Sequence, residues 1–339
     1  MSTRPGLTVL VTGATGFVGG AVVRHLLQRG LSVRCLVRDR RKAEGPAGLR
    51  PPVELRVGDT ADPVQLRGAL DGVDLLLNCA GLNSFWEPDR QAFRRINVEG
   101  TRNVMLAAID AGVKKVVHVS TAMAYGFPER MPFTAESAPG PHMSEYARSK
   151  HEGDQAAWNL ARARGLPLVV VHLAAVVGRG DPKSVMQIRD FAQGRIPVMI
   201  RSGNRFTYID IDDAARAIIA AGLAEGNLGA RYLVGIHRLT TGEYFGILSE
   251  LSGVPVPRLS IGRGTAMALA RLLTAWAALS HRRPLLPLDL MRTQFRGSLL
   301  FDGDSSARAL GISYTPIRKP LADAVADAAA GAIADARQP

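Results

Sequence analysis

Tyr146 and Lys150, in Tyr146-Ala147-Arg148-Ser149-Lys150, have the types and spacing for proton transfer at a carbonyl. Four residues apart, they stack on one face of a helix. An ammonium close to a phenol favours the phenolate and draws a pKa of about 10 toward neutrality. Such a tyrosine can give or take the proton at a carbonyl oxygen while a nicotinamide moves hydride. Twenty-five residues upstream, Ser120 and Thr121 end an apolar run in Val119-Ser120-Thr121-Ala122-Met123-Ala124-Tyr125-Gly126, where their hydroxyls could orient the reacting oxygen. A lone YxxxK recurs by chance on many helices. Its weight here comes from what precedes it.

Thr12-Gly13-Ala14-Thr15-Gly16-Phe17-Val18-Gly19 follows a first apolar run and opens a helical pattern. Glycines at 13, 16 and 19 permit a tight turn, close backbone approach and close helix–strand packing. The amides of Thr15, Gly16, Phe17 and Val18 would then face a pyrophosphate. The spacing is GxxGxxG rather than GxGxxG. At the end of the second run, Arg38 stands where a carboxylate would accept from an NAD ribose, and Asp39-Arg40-Arg41-Lys42 follows. A guanidinium pairs bidentately with phosphate, so this cluster favours NADP(H); Asp39 keeps NAD open as an alternative. Asp59 and Thr60 end another short strand, where the carboxylate could meet an adenine amino group, or Asp59 could sit in a loop before a helix capped by Asp62. Asn78-Cys79-Ala80-Gly81 ends the next strand in small residues, as expected where backbone passes under a cofactor.

These segments need a scaffold. The runs Thr8–Thr12, Val33–Val37, Leu75–Asn78, Val116–Ser120 and Leu168–Leu173 are continuously apolar, as in strands buried on both faces. Between them apolar residues recur at helical spacing: Val18, Val22, Val23, Leu26 and Leu27 in one stretch, Val98, Val104, Met105, Ala108 and Ile109 in another. Strand alternating with helix predicts an α/β fold, a Rossmann-type doubly wound parallel sheet. Beyond residue 180 the rhythm shortens, with strands expected at Pro197–Ile200, Phe206–Ile211 and Arg231–Val234. Helices are expected at Asp212–Ala224, Thr241–Ser252, Thr265–Ala278 and Pro320–Ala336. The expected division is a cofactor domain over 1–176, rejoined by 206–225, a smaller substrate lobe over 177–205 and 226–318, and a C-terminal helix over 319–339.

The chain has 339 residues, 47% hydrophobic and 21% charged, a globular balance that excludes a disordered polymer. Its net charge of +12 is spread along the chain as arginine instead of forming an aromatic-interleaved basic face, so an anionic cofactor is expected and nucleic acid is not. Cys35 and Cys79 form no CxxC or His-rich cluster, so neither a disulfide framework nor a metal site is expected. With no secretion signal and no apolar run long enough to span a bilayer, a cytoplasmic protein is expected.

The chain resembles the extended short-chain dehydrogenase/reductases over nearly its full length, in TGATGFVG (12–19), GD (58–59), NVEGT (97–101), VSTAMAYG (119–126), YARSK (146–150) and YIDIDDAARA (208–217). The resemblance implies a Rossmann fold with a C-terminal substrate lobe. It implies Tyr146 as general acid/base, Lys150 on the nicotinamide ribose and tuning Tyr146, Thr121 on the substrate oxygen, and Val176 among the cofactor contacts. It gives Asn97 a recurring place, and His172 a position where the family often has arginine. Homodimers built through the Tyr146 helix are common in the family; Trp158 and Leu160 fit such an interface and equally fit packing on the sheet.

Arg38 and the phrase LVRDR are similar to the dihydroflavonol-reductase-like and 3β-hydroxysteroid-dehydrogenase-like branch, which implies NADP(H) carbonyl reductases. Sugar-nucleotide epimerases and dehydratases of the family usually carry an asparagine after the sixth strand; this chain reads His172-Leu173-Ala174-Ala175-Val176-Val177-Gly178. Dehydratases also place an Asp-Glu pair after the active-site Thr, where Ala122-Met123 stands here. The expected reaction is therefore reduction of a ketone or aldehyde on a hydrophobic molecule, reversible as alcohol oxidation. The alternatives are an NAD-dependent epimerase or dehydratase, and a non-catalytic NADP-binding sensor. Substrate contacts are expected from Ser84, Phe85, Trp86 and Met123, with Phe85 and Trp86 as an apolar wall or a loop anchor. Thr265–Ser280 is apolar almost all round, which predicts burial, with a pocket wall or a membrane-surface helix as alternatives.

Overall fold

The computed structural model describes residues 6–44, 53–180 and 182–336. Six expected strands form as β1 (Thr8–Thr12), β2 (Ser32–Val37), β3 (Glu54–Val57), β4 (Leu75–Asn78), β5 (Lys115–Thr121) and β6 (Leu168–Leu173). Three short strands of the second lobe follow, β7 (Ala175–Val177), β8 (Val198–Ile200) and β9 (Arg205–Asp210), then β10 (Arg231–Val234), β11 (His237–Thr240) and β12 (Leu259–Ile261). The main sheet runs β10-β6-β5-β4-β1-β2-β3, and its pairings are parallel. Thr12 lies opposite both Leu36 and Asn78, and Thr121 opposite Leu173, so the carboxyl ends of the central strands share one edge. The connections reverse direction between β1 and β4, and ligands bind in the crevice at such a switch point.

Alternation of side chains across each strand divides the core in two. Val9, Val11, Leu75, Leu77, Val117, Val119, Val169 and Val171 pack on one face beneath helices Phe17–Gln28 and Ile211–Leu223. Leu10, Leu76, Val116 and Val170 pack on the other with Leu66, Val104 and Ala157. Trp158 and Leu160 join this second core, and the Arg231 guanidinium lies 4.6 Å over the Trp158 ring. Both residues are half-buried against this core.

Local chemistry sets the helix ends. Ser144 caps Glu145–Arg164 by accepting from the Ala147 amide, Glu145 fills its first turn, and Gly165 ends it at φ 68°. Asp210 caps Ile211–Leu223 through the Asp212 and Asp213 amides, and Thr240 with Glu243 forms a reciprocal capping box.

The second lobe departs from the expected division in three places. β10, assigned to the lobe by its position in the chain, is the edge strand of the main sheet, paired with β6 from Arg231↔Val170 to Val234↔Leu173. Within 206–225, the helix packs on the first domain, where His25 Nε2 meets Asp212 Oδ1 at 2.9 Å; β9 buries Ile209 in the same core but pairs with β7 and β11, not with the main sheet. The C-terminal helix, Arg318–Ala336, is part of the lobe's core: Leu321 and Ala324 are buried with Phe191, Phe245 and Leu248.

Helix Arg263–Ser280 overturns the expectation of burial. Only Ala266, Ala270 and Ala277 are buried, against a small cluster with Met291, while Leu269, Leu272, Trp276 and Leu279 face solvent. The buried side is built of alanines, which let the backbone lie close to its neighbours. The large apolar residues are left on the opposite side.

Candidate active site

The glycine turn forms as its spacing predicts. Gly13 has φ 67°, and a Cβ there would fall 2.8 Å from the backbone of Cys79 and Ala80, where β4 ends. A Cβ on Gly19 would lie 2.2 Å from the Gly13 carbonyl oxygen, so side chains at either position are excluded by backbone. Helix Phe17–Gln28 starts at Gly16 with no side-chain cap and no acid in its first turn. Uncapped amides at a helix start are a ready anion site, and a nucleotide diphosphate fits this cradle. Thr15 and Gly16 are exposed, and Phe17 and Val18 half-buried. Gly19→Ala is expected to weaken nucleotide affinity by more than about tenfold, a loss of ~1.4 kcal/mol, in a fluorescence titration.

Arg38 follows the last residue of β2, with its side chain exposed and in no ion pair among the described residues. Asp39 accepts from the Arg41 amide at 3.0 Å at the start of the next helix. The Lys42 side chain lies outside the described residues. Asp59 lies in the loop after β3, where its carboxylate accepts from the Ala61 amide at 2.9 Å, while Asp62 caps Pro63–Leu70. Thr60 packs beneath Gly100. Val176 is half-buried on β7, opposite Ile209.

Across the crevice, Tyr146 and Lys150 are buried on one face of helix Glu145–Arg164, beside the end of β5. Burial pushes the Tyr146 phenol up to about 12, with a hydrogen bond to Thr121 pulling the other way. The expected lowering by Lys150 is absent from the chain alone. The lysine donates to the Val119 carbonyl oxygen at 3.0 Å, and burial draws its own pKa down. Desolvation prevails because it penalises the charged form of both groups. Thr121 caps the turn Ala122–Tyr125 through the Met123 amide, which sets Met123 half-buried beside the site. The Phe85 ring meets the Tyr146 ring edge-on with centroids 6.3 Å apart, which sets an apolar side chain beside the phenol. Trp86 is half-buried in the same loop. Gly81 borders Asn97 Oδ1 and Lys150 Nζ, which brings the end of β4 to the Tyr146 helix. Ala80 joins it, donating its amide to Thr12 Oγ1.

Two expected contacts are engaged elsewhere. The Ser84 hydroxyl donates to the Trp86 carbonyl at 2.7 Å and holds its own loop. Ser120, expected beside Thr121 at the reacting oxygen, points to the opposite side, where its hydroxyl donates to Asp154 Oδ2 at 2.8 Å. Successive strand residues alternate sides, so two adjacent hydroxyls do not share one target.

Asp154 anchors a buried network that no sequence motif marked. It receives His172 Nε2 at 3.0 Å and faces His118 Nε2 at 3.2 Å. Asn78 Nδ2 donates to His118 Nδ1 at 3.0 Å, and Thr12 Oγ1 donates to Asn78 Oδ1 at 2.6 Å. A continuous polar chain thus crosses β1, β4, β5 and β6 and ends one turn beyond Lys150. Burial opposes the Asp154 carboxylate, but hydrogen bonds from both histidines outweigh it and hold the acid below its ordinary range. Burial and Lys150 keep His118 neutral. The 146, 150, 154 spacing at helical period was available as a signal; the partners on four strands were not.

Asn97 lies in a π-helical stretch, Arg94–Gly100, just before and into the start of the helical spacing expected from Val98. Its side chain accepts from the Leu82 amide at 2.7 Å, and donates to the Leu82 carbonyl and to Ser149 Oγ. It clamps the loop after β4 to the Tyr146 helix, a positioning task. A π-turn inserts a residue at a functional point of a helix, and periodicity does not reveal it.

The fold agrees with that of known proteins. The model for the NAD dependent epimerase/dehydratase family matches residues 9–235. The chain is 30% identical over 324 residues to the putative dihydroflavonol 4-reductase of Synechocystis sp., covering 93% of this chain and 92% of that one. It is 35% identical over 333 residues to sterol demethylase protein B of Methylococcus capsulatus, covering 94% and 98%. The crystal structure of gox2253 superposes with a TM-score of 0.80 at 31% identity, covering 96% and 98%. With likeness running the full length of both relatives, the chain belongs to the NAD dependent epimerase/dehydratase family, in its extended short-chain dehydrogenase/reductase branch, and is an NAD(P)-dependent enzyme acting on CH–OH and C=O groups.

Proposed function

We propose that this protein is an NADPH-dependent reductase of a ketone or aldehyde on a hydrophobic small molecule, running in reverse as an alcohol dehydrogenase. The observation that carries the reading is the buried Tyr146 phenol, set on the helix face beside the end of β5 and flanked by the edge-on Phe85 ring. An apolar wall one ring away from the proton donor suits an apolar carbonyl better than a sugar. The two relatives above are named for a dihydroflavonol and a sterol, which fits that class.

The nicotinamide cofactor would supply hydride to the carbonyl carbon, or accept it in reverse. The Gly13–Gly19 turn would hold the diphosphate, Arg38 the ribose 2′-phosphate, and Lys150 the nicotinamide ribose; Asp59, Thr60, Ala80, Gly81 and Val176 would flank the cofactor. Thr121 orients the substrate oxygen, and Tyr146 gives it a proton. Near pH 7 the phenol, pushed up to about 12, carries the proton that reduction consumes. Alcohol oxidation needs the phenolate and is expected to accelerate as pH rises.

The test is NADPH oxidation, with NADH as control, over hydrophobic aldehydes, aryl ketones, cyclic and steroid ketones and 3-keto acids. Turnover with NADPH supports the reading. Tightly co-purified NAD and no turnover on any member would return the protein to epimerase or dehydratase chemistry. Arg38→Ala should lower kcat/KM for NADPH by about tenfold to a hundredfold, the weight of a charge-assisted hydrogen bond, and leave NADH unaffected. An equal loss with both cofactors would place Arg38 away from the 2′-phosphate.

A further inference from the structure

Helix Arg263–Ser280 carries an apolar face that nothing among the described residues covers. Leu269 is 41% exposed, Leu272 70%, Trp276 66% and Leu279 77%, and Leu285, just past the helix, is 93% exposed. Residues at 269, 272, 276 and 279 recur at steps of three and four, so they form one stripe opposite the buried alanines. Scattered apolar residues on a surface mean little, but a contiguous stripe marks a contact.

Charge decides what the stripe meets. No Asp or Glu occurs between Glu250 and Asp289, whereas Arg258, Arg263, Arg271, Arg282 and Arg283 all do. All five arginines are exposed, and His281 ends the helix beside the last two. A two-fold contact between copies would set these arginines against their own counterparts with no acid in the segment to neutralise them. An anionic lipid surface satisfies both features, since it takes leucine and tryptophan into its acyl boundary and arginine at its headgroups. Among the described residues, no helix is long and apolar enough to cross a membrane, which suits a helix lying in the interface plane.

We propose that helix Arg263–Ser280, with Leu285 and the flanking arginines, docks this protein on an anionic lipid surface. The docking element is tied to the active site. The Leu288 amide donates to Thr274 Oγ1 at 3.2 Å, and Asp289 accepts from the amide of Glu145, the residue before Tyr146. Docking therefore brings the start of the catalytic helix near the bilayer.

The test is co-sedimentation of the full chain with vesicles of equimolar phosphatidylcholine and phosphatidylglycerol, against vesicles of phosphatidylcholine alone, with light scattering of the free protein. The expected result is binding to the anionic vesicles that weakens with salt. Both Leu272→Glu/Trp276→Glu and Arg282→Glu/Arg283→Glu should reduce it by more than about tenfold. These residues are exposed, so the variants should melt like the parent chain and keep its carbonyl reductase activity on a soluble substrate. The docking readout thus stands apart from the proposed reaction. Absence of binding to either vesicle overturns the proposal. So does a dimer in solution that Leu272→Glu/Trp276→Glu converts to monomer, because a second copy would then cover the stripe. Equal binding to both vesicles overturns the role given to the arginines.

Discussion

Tyr146→Phe is expected to lower turnover by about 100- to 10,000-fold, the range over which a positioned proton donor contributes, with nucleotide affinity unchanged. The substitution removes one oxygen and leaves the ring to pack against Phe85, so the fold and the apolar wall persist. Steady-state rates in both directions, paired with a cofactor titration, separate the outcomes. A collapse of kcat with an unaltered cofactor Kd assigns Tyr146 to the chemical step. Retained turnover would remove Tyr146 from that step, and an unaltered cofactor response from a protein with no turnover in either form would favour the sensor. The pH profile gives a second readout. Wild-type reduction should hold level through neutral pH, because burial keeps the phenol protonated, and oxidation should climb with pH. The Phe variant should lose both dependences.

The second large effect concerns stability. Asp154→Ala is expected to destabilise the fold by about 3–5 kcal/mol near pH 7.5, the cost of removing one partner from a buried, hydrogen-bonded set. The aspartate is 6% exposed, and without it Ser120, His118 and His172 face a void. Urea unfolding measures the loss, and an unchanged midpoint at pH 7.5 would show that the network carries no net stability. The pH dependence of the wild type follows from two depressed pKa values. His118 stays neutral when folded, so its contribution is present above about pH 6.5, where an unfolded histidine is also neutral, and is lost as pH falls below that. Asp154 stays ionised when folded, so its contribution is present above about pH 3.9 and is lost on further acidification. Both signs agree: stability should fall in two stages as acid is added.

Much of the site was legible in the residues. The glycine turn was readable because sterics leave few alternatives: backbone fills the space where a Cβ at Gly13 or Gly19 would go. The Tyr146–Lys150 pairing was readable because helix geometry converts a spacing of four into a shared face. The strands β1, β4 and β6 were readable to the residue, since strands buried on both faces read as unbroken apolar runs.

The tertiary structure decided what depends on contacts between distant segments. β10 joined the main sheet because its four residues pair with β6, some sixty residues earlier, a choice that no local pattern encodes. Ser120 turned to Asp154 rather than to the substrate because the strand's alternation and a helix 34 residues away fixed its side. The phenol of Tyr146 rose instead of falling because burial depends on the whole surrounding shell, whereas the sequence displayed only the neighbouring lysine. Helix Arg263–Ser280 illustrates the division most plainly. Its sequence determined an apolar helix free of acids, but which side met the protein was settled by packing. The small alanines allowed close approach, and the leucines and tryptophan were left facing outward.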